Sequence, residues 1–329
     1  MVIAAKNKVL IDALQEKLGI KRQSARAYAS QIRKMATSMN VPEPLSFAFL
    51  DKDNTVRQVA AITNVGQRKN MASALLAGTR AAEMSEERQN KYRKVMMSAD
   101  ADYRTWAASG TRSKGFVGDP AVLYKKVKSL HKQVGRIITA KKLFKRKNLT
   151  FAELVVLQQM VYCKLLHFYE PRRLELATLR FISPAQLATF SPAEQKKSNY
   201  ILTPARKRWT LVYNSYKTAR TYGQQRFEIT PGFKSTLLKI QRAFVERVPT
   251  GWIFFTHNGK PMGSSAFSKF VKDFFKTFVG KPWTSNTIRS IRVSALFKDS
   301  APARELIAAQ TGMASNLATL NLNYRQSAS

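Results

Sequence analysis

A scattered set of cations in the second half of the chain, Arg172, Arg173, Lys217, Arg289 and Arg292, is followed by Tyr324. Residues of these types suit phosphodiester chemistry. Phosphoryl transfer needs cations on the non-bridging oxygens as charge builds, an acid for the leaving oxygen and a nucleophile in line. A tyrosine hydroxyl can be that nucleophile without a metal. Other chemistries find less support: His131, His167 and His257 are far apart in sequence and suggest no triad or metal set. The single cysteine, Cys163, excludes a zinc or disulfide framework built on cysteine spacing and points to a reducing compartment. No Walker loop or G-x-G-x-x-G occurs, so neither a metal nor a cofactor is expected.

The partner of such a set is indicated by charge. Lys and Arg number 56 against 20 Asp and Glu, a net charge of +36. An excess of this size points to a polyanion. Residues 1–147 carry 30 basic and 11 acidic side chains, and 148–329 carry 26 and 9, so both halves are expected to touch it. Duplex nucleic acid fits better than a membrane surface, because the basic residues run through folded-looking sequence and are not gathered on one amphipathic helix. An RNA-binding module is a weaker alternative: Tyr213, Phe254 and Phe255 could stack on bases but equally suit a core. The most apolar segment, 151–168, is interrupted by Glu153, Gln158, Gln159 and Lys164. Neither a membrane span nor a signal peptide is expected, and the protein is read as intracellular, associated with DNA in cytoplasm or nucleus, and not secreted.

At 329 residues and 44% hydrophobic composition, the chain can bury one large core or two ordinary ones. Helical periodicity runs over 8–18, 24–39, 68–82 and 86–107, with Ala27, Ile32 and Met35 as an apolar stripe and turn-prone stretches around Pro42, Pro44 and Gly66. Residues 1–117 therefore read as an all-helical domain. Asp119-Pro120 opens a helical segment to Lys147 with an N-cap and a proline at the first helical position. This 118–147 stretch reads as a basic connector, with Lys125, Lys126, Lys128, Arg136, Lys141 and Lys142 as DNA-binding candidates; a solvated helix face is the plainer alternative.

From residue 148 the character changes. Thr150-x-x-Glu153 is a capping box opening a long apolar helix to about Phe168, and Ser191-x-x-Glu194 repeats the signal. Strand-like runs cover 200–203, 210–213 and 226–229, the last two separated by a polar turn holding Lys217, Arg220 and Gly223. A further strand-like run at 252–255 precedes helical patterns over 264–278, 285–298 and 303–310. Residues 148–329 thus read as a mainly α, α+β domain with a small antiparallel sheet.

These residues carry a family resemblance. Tyr169-Glu170-Pro171-Arg172-Arg173-Leu174-Glu175-Leu176 resembles the box around the first catalytic arginine of the tyrosine recombinase (phage-type integrase) family, where R-x-x-E-L is typical. Arg172 takes the arginine's place, three residues before Glu175, with Arg173 as the slip-by-one alternative. Ser215-Tyr216-Lys217-Thr218 falls in the hairpin turn where the family keeps its mobile lysine. Arg289-Ser290-Ile291-Arg292 resembles the H-x-x-R box, with Arg292 as the second clamp arginine and Arg289 in the histidine slot. The alternative register, Asn286-x-x-Arg289, makes Arg289 the clamp and moves Arg292 onto a buried helix face. Tyr324 follows at family-like spacing, and Met313, after Gly312, stands where the family usually has a histidine or tryptophan.

The resemblance implies a core-binding-like helical domain and a catalytic domain closing as a C-shaped clamp on duplex DNA, in a homotetramer on two sites. Arg172 and Arg292 would hold the scissile phosphate with Arg289 beside it, Tyr324 would form a 3′-phosphotyrosine, and Lys217 would protonate the departing 5′ oxygen. DNA recombination or integration without metal or ATP follows, in the service of a virus or mobile element. A type IB topoisomerase and a non-catalytic DNA-binding or packaging protein on a recombinase fold are the alternatives, the latter because Met313 cannot act as a base.

Overall fold

A computed structural model describes residues 8–108, 116–245, 248 and 250–296; Met313 and Tyr324 lie outside the described residues. The chain divides into two compact units, Met1–Arg112 and Ser113–Ser329. The described residues are mostly helical, with one small four-stranded sheet.

The first unit comprises α1 (Lys8–Leu18), α2 (Arg22–Ser38), α3 (Asp53–Ala60), α4 (Val65–Ala81) and α5 (Glu86–Ala108). On α2 the buried face is Ala25, Ala29, Ile32, Met35 and Ala36, a helical i, i+4, i+7 stripe. Ala27, read from sequence as part of that stripe, faces solvent. The helix α3 and the 3-10 turn Ala48–Asp51 lie between the turn-prone stretches around Pro44 and Gly66, where sequence reading assigned no element. This pair is held from outside: Arg88 of α5 bonds Asp51 at 3.0 Å and Asp53 at 2.8 Å, and the buried Tyr92 hydroxyl donates to the Leu50 carbonyl at 2.8 Å. Gly78 lets this turn approach α4, since a Cβ there would stand 2.8 Å from Leu50 Cδ1.

The second unit begins with a helical hairpin, α6 (Pro120–Ala140) and α7 (Phe151–Phe168). Asp119 caps α6 by accepting from the Ala121 amide at 2.7 Å, and the Thr150–Glu153 box closes at the start of α7. The helix α7 is buried on nearly every side, from Leu154 to Leu166, so it forms the axis of the core. Its Tyr162 ring is surrounded edge-on by Phe254, Phe267, Phe270, Phe274 and Phe275. The helix read as a connector also belongs to this core: Tyr124, Val127, Leu130, Val134 and Ile138 of α6 are buried against it.

After α7 come β1 (Arg180–Ile182), α8 (Pro184–Ala188), α9 (Pro192–Lys197), β2 (Tyr200–Leu202), β3 (Thr210–Tyr213), α10 (Ala219–Tyr222) and β4 (Gln225–Glu228). Then follow α11 (Pro231–Val245), α12 (Ser264–Val279) and α13 (Ser285–Leu296). The sheet order is β1-β2-β3-β4, antiparallel except for the β1–β2 pair. The sheet is therefore mixed, not purely antiparallel as read from sequence. The three-residue β1 carries no detectable alternation. Long-range pairing makes it a strand: besides β2, it meets the 251–253 segment, with Phe181 N donating to Gly251 O at 2.8 Å and Ile253 N to Leu179 O at 2.9 Å. Gly251 is required there, with φ +77° and a would-be Cβ 2.7 Å from the Phe181 carbonyl oxygen.

Candidate active site

Arg172 leaves the end of α7 and enters an aromatic cradle. Its guanidinium carbon lies 4.5 Å from the Tyr213 ring centre, 5.5 Å from Tyr216 and 5.7 Å from Phe227. Alternation along β3 and β4 supplies Tyr213 and Phe227, and the following turn supplies Tyr216. Arg172 is only 6% exposed, and its Nη2 donates to Gln225 Oε1 at 2.5 Å. Burial depresses its pKa, opposed by Tyr213, Glu175, Tyr216 and Glu170. The Glu175 Oε2 atom is buried without a hydrogen-bond partner among the described residues.

Lys217 stands exposed in the β3–β4 connection, one residue after Tyr216. The Arg173 cation, and secondarily partial desolvation, hold its pKa below the usual lysine range. The turn is fixed from beneath by Asn199, which is 1% exposed. Its Nδ2 donates to the carbonyls of Glu175 at 3.1 Å and Ser215 at 2.8 Å, while its Oδ1 accepts from the amides of Asn214 at 3.0 Å and Ser215 at 2.8 Å. One side chain thus ties the Glu175 turn to the Lys217 turn with all its amide capacity used. Tyr216 closes the loop by donating to the Gly223 carbonyl at 2.7 Å.

The third segment is α13, which packs on α6. Arg289 is 2% exposed, and Asn286, one turn earlier, is exposed. Arg292, one turn later, donates Nε and Nη2 to the two carboxylate oxygens of Glu170, each at 2.7 Å. Its guanidinium also lies 4.9 Å from the Tyr124 ring centre, and the Tyr124 hydroxyl donates to Glu170 Oε2 at 3.4 Å. Burial, and then Glu170, raise the Tyr124 pKa.

Arg172, Arg173, Glu175 and Lys217 are therefore brought together, and the α13 turn carrying Arg289 and Arg292 is tied to the same exit of α7 through Glu170. Sequence reasoning missed Glu170, Asn199, Tyr213 and Gln225 as members of this group. Glu170 stood inside the quoted box, but its partner lies 122 positions away. Asn199 had only its place before an apolar strand to mark it.

The connector lysines occupy the outer face of α6 and the turn beyond it: Lys125, Lys126, Arg136, Lys141 and Lys142 are exposed, and Lys128 is half-buried above the Tyr124 ring. His131 and His167, far apart in sequence, meet across the α6–α7 hairpin with ring centres 4.3 Å apart. Both Nδ1 atoms lie 2.9 Å from the Lys128 carbonyl oxygen, so both donate to it. Among the described residues no three His, Cys, Asp or Glu side chains cluster as a metal site, and no helix is long and apolar enough to cross a membrane.

No protein-family model matches the chain, and no curated protein matches it in sequence.

Proposed function

We propose that the second unit is the catalytic unit of a tyrosine-recombinase-like enzyme that cuts and rejoins duplex DNA. The observation carrying this reading is the seat of Arg172: a buried guanidinium stacked on Tyr213 and Tyr216, beside the Lys217 turn and two residues after the Glu170 that holds Arg292. In this reading a non-bridging phosphate oxygen replaces Gln225 Oε1 on Arg172. Arg289 is the second clamp, in the register with Asn286 in the histidine slot, because Glu170 already engages Arg292.

The Tyr324 oxygen bonds to phosphorus, its proton passing to solvent, and the bond to the 5′ oxygen breaks. Lys217 supplies that oxygen's proton, a task suited to an ammonium whose pKa is depressed by Arg173. The phosphotyrosyl bond retains the energy of the broken ester, so reversal rejoins the strand without ATP. The charge of +36 supplies salt-sensitive affinity over an extended duplex, as a homotetramer on two sites would use it.

The test is incubation with nicked and supercoiled duplex DNA, without metal or ATP, followed by an SDS quench. A covalent adduct absent from Tyr324→Phe supports the reading; recombinant joints indicate a recombinase, and relaxed circles alone a topoisomerase. Arg292's engagement by Glu170 also favours a second reading, a non-catalytic DNA-binding protein on this fold, for which tight binding without an adduct on cognate sequence is the expected result.

A further inference from the structure

The end of α7 remote from Arg172 carries a second concentration of cations. The helices α7 and α11 run antiparallel: Phe168 at the end of α7 stacks on Phe233 at the start of α11, with ring centres 5.5 Å apart. At the other end Phe255 bridges Phe151 and Phe244, at 6.4 and 4.9 Å. Lys239 and Arg242 of α11 therefore lie beside the start of α7, a helix length of about 27 Å from the Arg172 end.

There a cleft of about 220 Å³ opens between α11 and the 3-10 turn Leu143–Lys145, lined by Phe144, Arg146, Lys147, Lys239 and Arg242 over Leu143. The basic run from Lys141 to Lys147 is not a loose tail. Leu143 is fully buried and Lys142 adopts a left-handed conformation at φ 51°, so the cations radiate from a fixed turn. Glu153 answers Arg146, and no carboxylate lines the cleft. Phe144 is 38% exposed, with the Lys239 ammonium 5.7 Å from its ring centre, leaving a flat apolar surface beside the charge.

We propose that this cleft binds a terminal phosphate, the dianionic phosphomonoester of a nucleotide or of a 5′-phosphorylated nucleic-acid end, with the adjoining ring against Phe144. A cleft of this volume excludes a duplex and admits one phosphate with part of its neighbour. Lys147, Lys239 and Arg242 converge on one small volume, a charge that a dianion answers better than the single charge of an internal phosphodiester. The site is independent of the proposed strand transfer.

The experiment compares, by fluorescence anisotropy with the full chain, two short single-stranded oligonucleotides of one sequence, one 5′-phosphorylated and one ending in a 5′ hydroxyl. The generic attraction of the basic surface is common to both, so their ratio reports the terminal phosphate alone. About tenfold tighter binding of the phosphorylated strand is expected, reflecting two or more added charge-assisted bonds. That preference should vanish in Lys147→Ala/Arg242→Ala, whose sites are exposed and whose thermal melt serves as the folding control, and should persist in Arg172→Ala. A free nucleoside 5′-monophosphate that competes equally identifies the ligand as a nucleotide; one that fails to compete identifies it as a strand end. Equal affinity for the two strands in the native protein, or a preference that survives the double variant, overturns the proposal.

Discussion

Glu170 and Arg292 lie 122 positions apart and are joined by two parallel N–H···O bonds of 2.7 Å. The pair locks the exit of α7 to the middle of α13, and its side chains are only 24% and 17% exposed. Removing one partner leaves a largely desolvated charge, so Arg292→Ala should cost about 2–4 kcal/mol. Arg292→Lys, which cannot form the two-pronged contact, should recover only part of it. Urea unfolding of both variants measures this; a loss below the error of the midpoint would mean the pair contributes nothing.

Arg172→Ala should separate chemistry from binding. In the role proposed for it, Arg172 faces the phosphate, and its loss would remove on the order of 3 kcal/mol from the transition state, by analogy with loss of an oxyanion donor. Dispersed Lys and Arg keep the salt-dependent affinity. Adduct formation and duplex binding, measured on the same preparations, should part company; equal loss of both would contradict the assigned role.

Asn199→Ala should loosen the turn that carries Lys217. Four hydrogen bonds are lost and buried backbone groups are stranded, a cost of about 2–4 kcal/mol. Asn199→Asp should fare no better, because a carboxylate cannot donate to the Glu175 and Ser215 carbonyls. Hydrogen exchange at the Asn214 and Ser215 amides should accelerate in both variants, while exchange in α12 should change little.

His131 should make the second unit less stable in acid. Partial burial is the main cause lowering the His131 pKa, helped by the neighbouring His167, Lys164 and Lys132 and opposed by the bond to the Lys128 carbonyl. A histidine whose folded pKa lies below its unfolded value of about 6.5 contributes its full stability above that value and loses it as pH falls through the folded one. His131→Asn keeps a neutral donor for the Lys128 carbonyl at every pH. Its denaturation midpoint should therefore fall less between pH 7.5 and 5 than that of the native protein, and parallel slopes would count against His131 as the cause.

Elements whose information is local were legible in the sequence. The cap of α6 and the Thr150–Glu153 and Ser191–Glu194 boxes lie within four residues of the helices they start, and the 3.6-residue period of α12 is visible because that helix exceeds three turns. The antiparallel run β2-β3-β4 was legible for the same reason, its strands being marked by β-branched and aromatic residues. The grouping of Arg172 with Lys217 was accessible only through family resemblance, since nothing in spacing alone brings the end of a helix to a hairpin turn.

Tertiary structure decided the remainder. β1 is a strand because Gly251 and Tyr200 bracket it, and three residues cannot show alternation. Arg289 and Arg292 sit one turn apart on one helix, and only the fold brings Glu170, just past the end of another helix, to pair with Arg292. His131 and His167 meet because α6 and α7 fold back on each other, and Phe144, Arg146 and Lys147 line a cleft with Lys239 and Arg242 because Leu143 is pulled into the core. Local propensity acts over a few residues, whereas each of these arrangements depends on burying apolar surface between segments far apart in the chain, which no short window of sequence contains.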